Sequence, residues 1–497
     1  MEKQVNNAPH AVGSLKPENS SSSEDKSNAV GNENEIRAYA QDSPNPQEIA
    51  AETTSLHPHQ SHVSIFIQKQ VGLFHESLRG LHWKIFIKSI FTLLYMAALI
   101  LGILSIFWGS MFNRSDRVSH LNIWVMNYDN GAIGQSLVNI TEGLAAASPK
   151  NLGYQTVTPE QYAKPISDIE TDINNEVAWG ALVIQPNAST RLQNAIANNI
   201  SYIPNDVVTF YFSEGRQNNI IDELILPAIS RLNDSWSTTF KSDLLANLTS
   251  TLNQTQIGAI VATNPNIITN PVSIALVNTS PVVGDVSAAI LSIGLIFLII
   301  VSFFQIANFA QIQLIMLGKI PFIQYMLYRP FINMITIFML SLAFSLVSLA
   351  FQQDFTQTFG HRGFMIYWMI NFMAMWALGG ASENIAGVII AIHPPAIGFW
   401  LIFWVVMNSS TGIYPLELSP GIYHVGRALP IYNAQMAIRT VLYGTRNRLG
   451  LNFGVFTAWI VINWLVSFPS MAAIKYIKGR QAKKAAAKAA AAANTKA

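Results

Sequence analysis

Apolar and polar residues divide the chain into a long polar start, one apolar run, a polar middle and a mostly apolar second half. Residues 284–310 carry no charge after Asp285, and about 27 residues are ample to cross a ~30 Å hydrocarbon core. Gly284, Ala288 and Ser292 recur every fourth residue, so small side chains share one face of the first turns, where another helix backbone could come close. This run therefore begins a membrane bundle, and the polar segment before it forms a domain outside the bundle.

Six apolar runs are long enough to be predicted as membrane spans. They are residues 86–112, 284–310, 330–351, 364–382, 396–413 and 453–474. Basic residues precede the first span and fill the tail 475–497, so the positive-inside tendency places both termini in the cytosol. The predicted fold class is an α-helical integral membrane protein with six transmembrane helices, one plus five, and an α/β extracytoplasmic domain between helices 1 and 2.

The segment before the first span divides into two parts. Residues 1–62 are rich in Asn, Ser, Glu and Pro, which is typical of a disordered cytosolic tail. Residues 63–85 repeat apolar positions at three and four, which predicts an amphipathic helix. Such a helix next to a span either lies in the membrane interface or packs on another cytosolic segment, and the pattern favours the interface.

The polar middle, residues 113–283, predicts a glycosylated α/β domain. Apolar strands bounded by turn residues are expected at 120–131, 178–186 and 207–213, and a helix from Asn218 to about Leu252 is expected to kink or restart at Pro227. Many Asn-x-Ser/Thr acceptors in a segment predicted to be outside indicate passage through the secretory pathway. The expected glycosylation sites are Asn113, Asn139, Asn187, Asn199, Asn233, Asn247 and Asn253, whereas Asn408, in a span, and Asn19, in the cytosolic tail, are expected to stay unmodified.

Residues 414–450 conflict with a simple outward loop. They hold Arg427, Arg439, Arg446 and Arg448, although an outer loop should have few basic residues. Either part of the stretch is a re-entrant segment lined by protein, or earlier spans fix the topology and the charge is tolerated. The sequence leaves both explanations open.

Composition fits the membrane class and points away from enzymes. Half of the residues are hydrophobic and only 12 % are charged, with no cysteine at all, against roughly 25 % charge in a soluble domain. Disulfides, thiolate metal ligands and thiol nucleophiles are excluded. No metal site is predicted, since the three histidines between 57 and 62 fit a solvated tail better, and neither a catalytic motif nor a phosphate-binding loop occurs. We expect no enzyme activity, no cofactor and no nucleic-acid partner.

A few polar residues near the spans are candidates for function. Glu383, Glu417 and Arg427 are predicted to line a substrate path, because an ionisable group in lipid usually marks function. The structural alternative is an ordinary loop for Glu383, while Glu417 and Arg427 could form a buried ion pair. Asn127, Asp129 and Gly131 are predicted to build a turn, and three span residues are expected to bond across helices: Asn371, Asn384 and Asn408.

Several motifs carry a resemblance to a known class of membrane protein. NYDNGAIGQSLV (127–138) and VAWGALVIQPNASTRL (177–192) are similar to the outer-domain elements of ATP-binding-cassette type-2 exporter permeases. LGKIPFIQYMLYRPFINMI (317–335) resembles their cytosolic connector, although Met316 to Lys319 stand where those permeases usually carry acidic residues. ALPIYNAQMAIRTVLYGT (428–445) resembles the fungal nitrosoguanidine-resistance membrane protein family, which shares the one-plus-five layout.

The resemblance implies a plasma-membrane protein that contributes to resistance to toxic compounds. It would transport amphipathic substrates or alter the distribution of membrane lipids. The implied partners are membrane lipids, a second copy in a homodimer, and a separate ATPase subunit if ATP is used. The alternative function is a non-transporting membrane organiser whose outer domain binds a partner or the cell wall. A lipid-modifying enzyme is the third hypothesis.

Overall fold

A sheet domain and a group of long apolar helices make up the unit Lys84–Ala497. The computed structural model describes residues 73, 75–198, 200–316 and 319–494. The predicted disordered tail 1–62, and residues 63–72 and 74 of the predicted amphipathic helix 63–85, lie outside the described residues. The first long helix, α1, runs without a break over Arg79–Met111, so residues 79–85 belong to the same helix as the first apolar run.

The outer domain is built on one mixed five-stranded sheet with the order β2-β1-β3-β4-β5. Its strands are β1 (Asn122–Asn127), β2 (Gly153–Thr156), β3 (Gly180–Ile184), β4 (Val208–Phe212) and β5 (Ile274–Asn278). Only β3 and β4 pair antiparallel, and the other three pairs are parallel. The predicted α/β character is confirmed, and β1, β3 and β4 lie where strands were expected.

Helices cover the sheet because its strands are apolar on both faces. They are α2 (Ala132–Ala147), α3 (Ala188–Asn198), α4 (Leu226–Thr251) and α5 (Gln254–Thr263). Ile123 and Leu182 point into the larger core with these helices, whereas Met126 and Val183 point to a smaller core on the other face. A π-helical turn, Ile221–Ile225, precedes α4, and Pro227 lies in its first turn, as expected for a restart.

The turn after β1 is held by a buried carboxylate. The Asp129 side chain, only 3 % exposed, accepts hydrogen bonds from the backbone N–H and the hydroxyl of Ser189 and from the N–H of Gly134. A side chain at Gly131 would collide with Ser189, since a Cβ there would lie 2.3 Å from the Ser189 Cβ. Asp129 therefore joins the start of α2 to the start of α3, whereas the sequence predicts only a local turn at this position.

Replacing Asp129 with alanine should destabilise the outer domain. The change leaves three donors without their acceptor, which costs about 1–3 kcal/mol for an unsatisfied buried group. Thermal unfolding of the full-length protein measures the loss. Asp234→Ala, at an exposed position of α4, is the control and should leave the unfolding temperature unchanged. Equal stability of the two variants would contradict the assigned role.

The second half of the chain forms a helical bundle centred on one helix. Its helices are α6 (Leu295–Met316), α7 (Phe322–Ala350), α8 (Gly363–Ile392), α9 (Ile397–Ser409), α10 (Pro430–Tyr443) and α11 (Leu449–Asn494). A short turn, Ser287–Ala289, and a π-helical turn, Ile290–Gly294, lead into α6. Helix α8 packs against α6, α7, α9, α10 and α11, and α8 and α10 together supply most of the buried apolar core of the bundle.

Among the described residues, five helices are long and apolar enough to cross a membrane, one fewer than the six predicted spans. They are Arg79–Met111, Ser287–Phe309, Phe322–Ala350, Thr356–Ile392 and Leu449–Ala491. The predicted span 396–413 corresponds to α9, whose 13 residues rise about 20 Å, short of a ~30 Å core. The predicted span 330–351 begins too late and the predicted span 364–382 ends too early, since α7 already contains Arg329 and α8 continues through Glu383.

The stretch 414–450 contains a helix that is enclosed by protein. Twelve residues of α10, among them Arg439, are buried between the bundle and the outer domain. Arg427, Arg446 and Arg448 are exposed. Enclosure by protein is the condition that irregular or polar segments at membrane depth must meet. A re-entrant position for this stretch remains a prediction.

Polar side chains connect the bundle helices. The Asn371 amide donates to the Ser345 hydroxyl at 2.9 Å, which links α8 to α7. The Asn384 amide donates to the backbone carbonyl of Asn463 at 2.7 Å, which links α8 to α11. These two predicted interhelical bonds are confirmed. The prediction for Asn408 is wrong, because its amide donates to the Trp404 carbonyl within α9.

The predicted glycosylation sites differ in exposure. Five of the asparagines are exposed, Asn233 is partly buried and Asn199 lies outside the described residues; the exposed ones are Asn113, Asn139, Asn187, Asn247 and Asn253. The Asn233 side chain also accepts a hydrogen bond from the Ile274 N–H, which holds it against β5. We expect glycans at the exposed sites and low occupancy at Asn233. Peptide mass spectrometry before and after glycosidase treatment measures this, and unmodified peptides throughout would place 113–283 on the cytosolic side.

Candidate functional site

An ion pair lies inside the helical bundle, between α7 and α8. The Arg329 guanidinium donates from Nε to Oε1 of Glu383, and the two side chains are 13 % and 12 % exposed. With 1.5 Å of rise per residue, Arg329 lies about 10 Å and Glu383 about 14 Å along the helix from the ends of α7 and α8 that are distant from the outer domain. Both charges therefore lie well inside the two long helices and not at their ends.

Amide side chains extend the ion pair into a polar network. The Asn333 amide donates to the other carboxylate oxygen of Glu383. Gln305, on α6, donates in turn to the Asn333 amide oxygen at 3.2 Å. Arg329 also contacts the sulfur of Met471 on α11. Four helices thus contribute to one polar cluster, which offsets part of the cost of desolvating the two charges.

A second set of bonds draws α8 and α11 together beside the ion pair. The Asn463 amide donates to the Ala377 carbonyl at 2.7 Å, and the Ser470 hydroxyl donates to the Asn384 carbonyl at 2.7 Å. Gly380 allows this close approach, because a Cβ there would lie 2.8 Å from the Asn463 side-chain nitrogen. The helices are therefore held at a fixed distance next to an open space.

That space is a cavity of about 200 Å³, here called the ion-pair cavity. Its polar wall includes the ion pair and nearby amides, and its apolar wall includes Ile337, Trp376 and Ile460. Val461 and Trp464 also line it and are 49 % and 40 % exposed, so the cavity reaches the lipid-facing surface of α11. It combines fixed charges with an apolar surface and a lateral opening.

Comparison with known proteins gives the chain a family. A family model described as a protein of unknown function (DUF3533) matches residues 92–465. The chain belongs to the DUF3533 family. It is also 24 % identical over 412 residues to the uncharacterized endoplasmic reticulum membrane protein YJR015W of Saccharomyces cerevisiae, covering 79 % of this chain and 81 % of that protein. No solved structure is significantly similar.

The part of the DUF3533 chain that matches the family model contains the outer domain and the whole ion pair. The relative is a membrane protein by its name, in agreement with the long apolar helices found here. A multi-pass membrane protein is therefore the class that this chain shares with its relative.

Of the three predicted substrate-path residues, only Glu383 lies in the ion-pair cavity. An ordinary loop does not explain Glu383, because it lies within α8 rather than after it. A functional role for its partner Arg329 was not predicted. The signal in the sequence of this DUF3533 chain is an arginine inside the apolar run 317–335. The sequence placed it at the start of a span, where a charge needs no explanation.

Glu417 and Arg427, the other two predicted substrate-path residues, do not pair with each other. Glu417 pairs with Arg216 of the outer domain at 3.4 Å, and the Glu417 side chain is 42 % exposed. Arg427 is exposed, and its backbone carbonyl accepts a hydrogen bond from the Asn433 amide. Arg216 could not be identified as the partner from the sequence, since 201 positions separate it from Glu417.

Arg216 joins the outer domain to the stretch that follows α9. Its guanidinium lies 3.7 Å from the centre of the Trp179 ring and donates to the Ala178 carbonyl at 2.8 Å. Burial lowers the pKa of the Arg216 guanidinium, while the carboxylates of Glu176 and Glu417 oppose that change. We assign Arg216 a structural role, because stacking and hydrogen bonds already engage its guanidinium.

The walls of the ion-pair cavity differ in polarity. Opposite charges and amides can hold a polar group, while the apolar wall can hold a hydrocarbon part. Over the described part of the chain, no cluster of three or more His, Asp or Glu side chains could hold a metal ion. The cavity therefore places charged and amide groups next to an apolar surface.

Proposed function

We propose that this protein takes the polar end of an amphipathic molecule into the ion-pair cavity and moves such molecules, or lipids, across or within the bilayer. The observation that carries the proposal is the Arg329–Glu383 pair, buried among membrane helices and lining a cavity of about 200 Å³. Ionisable residues inside membrane segments usually mark a substrate or ion path.

The size and opening of the cavity favour a ligand that is only partly enclosed. Sites that enclose a drug-sized molecule have roughly 300–1,000 Å³, so about 200 Å³ suits a polar group with its hydrocarbon part left outside. The exposed side chains of Val461 and Trp464 lie where that part would reach the lipid. A head group inside and a chain outside is the arrangement expected for a lipid or a lipid-like toxic compound.

A proline next to the ion pair favours movement at this place. Pro330 lies inside α7, directly after Arg329, and has no N–H to donate to the carbonyl of Met326. Such an interruption bends or loosens a helix locally. Both Met326 and Pro330 line the cavity, so a change in the bend of α7 would change the cavity itself.

A reconstituted transport assay tests the proposal. The full-length protein is placed in liposomes that contain a fluorescent phospholipid, and a membrane-impermeant quencher reports how much label reaches the outer leaflet, with and without ATP. We expect relocation by the native protein and at least a tenfold loss for Glu383→Gln. The control is Glu223→Gln, which breaks the exposed pair with Arg114 and should keep native activity. Relocation by Glu383→Gln at the native rate would reject the proposed path.

Partners and location are further parts of the proposal. The resemblance to exporter permeases and to the nitrosoguanidine-resistance family supports a role in resistance, a homodimer and a separate ATPase subunit. Purification in mild detergent followed by mass spectrometry tests the last two, and a stoichiometric ATPase is the result expected of an exporter. We propose the plasma membrane as the site of action, although the yeast relative's name places that protein in the endoplasmic reticulum membrane. Fluorescence microscopy of a tagged protein decides between the two.

A further inference from the structure

A second cavity lies where the outer domain meets the bundle, and a buried arginine forms part of its wall. This junction cavity has about 200 Å³ and is lined by residues of the outer domain, of the two turns that lead into α6 and of α10. Arg439 of α10 is 4 % exposed and donates to the amide oxygen of Gln217. Within the described part of the chain, Arg439 makes no ion pair with a carboxylate.

A buried guanidinium with one neutral partner requires a further acceptor. Removing its charge from water is costly unless an anion or several hydrogen bonds replace the water. Glu176 and Glu417 lie on a smaller adjacent cavity that Arg439 also lines, but Glu417 pairs with Arg216. Arg439 therefore presents unused donors beside an open space, and its planar fork suits a phosphate or a carboxylate.

The same cavity also offers acceptors. The Gln435 amide donates from Nε2 to the Leu291 carbonyl at 3.2 Å, and its Oε1 is buried without a partner. The Glu214 carboxylate lines the cavity too, with its Oε2 held by the Asn278 amide and the Val282 N–H. A ligand that satisfies both sides carries an anionic group close to a hydrogen-bond donor, as a zwitterionic phospholipid head group does.

Two π-helical turns border the cavity. Asn219 lies two residues before Ile221–Ile225, and Ile290–Gly294 contains Leu291 and Ser292; Asn219, Leu291 and Ser292 line the cavity. π-Turns are rare and occur frequently at functional sites, because they change which side chains face a given direction. Two π-turns on separate helices beside one cavity therefore indicate a functional site, independently of the charge of Arg439.

The cavity opens toward the surroundings of the bundle at the turns that precede α6. Ala288 and Ser292 line it and are themselves exposed, so only small side chains stand between the interior and the outside. They belong to the small-residue face noted in the sequence. They lie within two turns of the start of the predicted span, at the level expected for lipid head groups on the outer-domain side. An occupant can enter sideways from the bilayer.

We propose that the junction cavity binds a phospholipid head group from the leaflet on the side of the outer domain. The phosphate contacts the Arg439 guanidinium, and the amino group contacts Glu214 and the Gln435 oxygen. The acyl chains leave past the small side chains of Ala288 and Ser292. This site does not depend on the proposed function, because binding here can be measured without any transport.

Titration of the purified, delipidated full-length protein with soluble probes tests the site. The probes are dihexanoyl-phosphatidylethanolamine, dihexanoylglycerol, which lacks the phosphate, and inorganic phosphate, with affinity measured by calorimetry. We expect the phospholipid to bind at least tenfold more tightly than either of the others. Equal affinity for dihexanoylglycerol would reject head-group recognition. Equal affinity for inorganic phosphate would assign the cavity to a free anion and reject the lipid.

Variants at the opening keep the test independent of folding. Ser292→Trp should fill the opening and weaken phospholipid binding at least tenfold. Ile293→Trp is the matched control, because Ile293 is its exposed neighbour but does not line the cavity. Arg439→Lys should also weaken binding tenfold or more while retaining the charge, with circular dichroism to check the fold. Native affinity in Ser292→Trp would overturn the proposal.

Discussion

Glutamine in place of Glu383 is expected to destabilise the bundle by about 3–5 kcal/mol, the usual cost of removing one partner of a buried ion pair. The Arg329 guanidinium would keep its charge and lose its carboxylate, while both side chains are 12–13 % exposed. Thermal unfolding in detergent, followed by size-exclusion chromatography, measures the loss. Glu223→Gln serves as the control, since exposed pairs contribute only about 0–1 kcal/mol.

Neutralising both partners separates stability from function. In Arg329→Gln/Glu383→Gln no charge remains buried, and replacing a whole buried pair is often close to neutral for stability. We expect the double variant to recover most of the unfolding temperature but no lipid relocation. Recovery of both would show that the charges serve only to hold α7 and α8 together. A double variant as unstable as the single one would show that the burial of an unpaired charge is not the cause.

Alanine at Arg216 is expected to cost about 3 kcal/mol and to loosen the contact between the outer domain and the residues after α9. The change removes a charged hydrogen bond to a carbonyl, worth about 1.5–3 kcal/mol, and a stacking contact worth about 1–2 kcal/mol. The ion pair adds little, because the Glu417 side chain is 42 % exposed. Lysine should not restore stability, since it has no planar group to stack on Trp179.

Limited proteolysis and thermal unfolding measure this effect. In Arg216→Ala, cleavage between residues 410 and 430 should become faster, because this stretch lies against the outer domain. Arg191→Ala is the control: Arg191 also donates to two backbone carbonyls, but it is exposed. A protease pattern for Arg216→Ala that matches the native one would contradict the structural role of this arginine.

The sequence predicted the strands that are apolar and bounded by turns, but not the others. β1, β3 and β4 were identified, whereas β2 and β5 were missed. The four residues of β2, Gly-Tyr-Gln-Thr, alternate too little to suggest a strand, and they pair only at the edge of the sheet. β5 is apolar, but it lies between segments rich in Asn and Pro, and its parallel partner β4 is distant in the sequence.

In the bundle, apolar runs located the helices but not their ends. Arg329 was taken to precede the start of one span, and Glu383 was taken to follow the end of another. Both helices continue through these positions, where the two side chains pair. The partners of the charged side chains could not be predicted from the sequence either. Charge inside a helix could be seen in the sequence, but the pairing of Arg329 with Glu383, 54 positions apart, and of Arg216 with Glu417 arises only from the packing of helices and domain.

Photo-crosslinking with an amphipathic ligand tests whether such a molecule occupies the ion-pair cavity. A phospholipid with a photoreactive group next to its head group is added to the full-length protein in liposomes, and the labelled residues are mapped by mass spectrometry. We expect adducts on the inner wall of the ion-pair cavity, at Met326, Ile337 or Trp376, and the loss of these adducts in Glu383→Gln. Adducts confined to exposed positions such as Leu465, equal in native protein and variant, would contradict it.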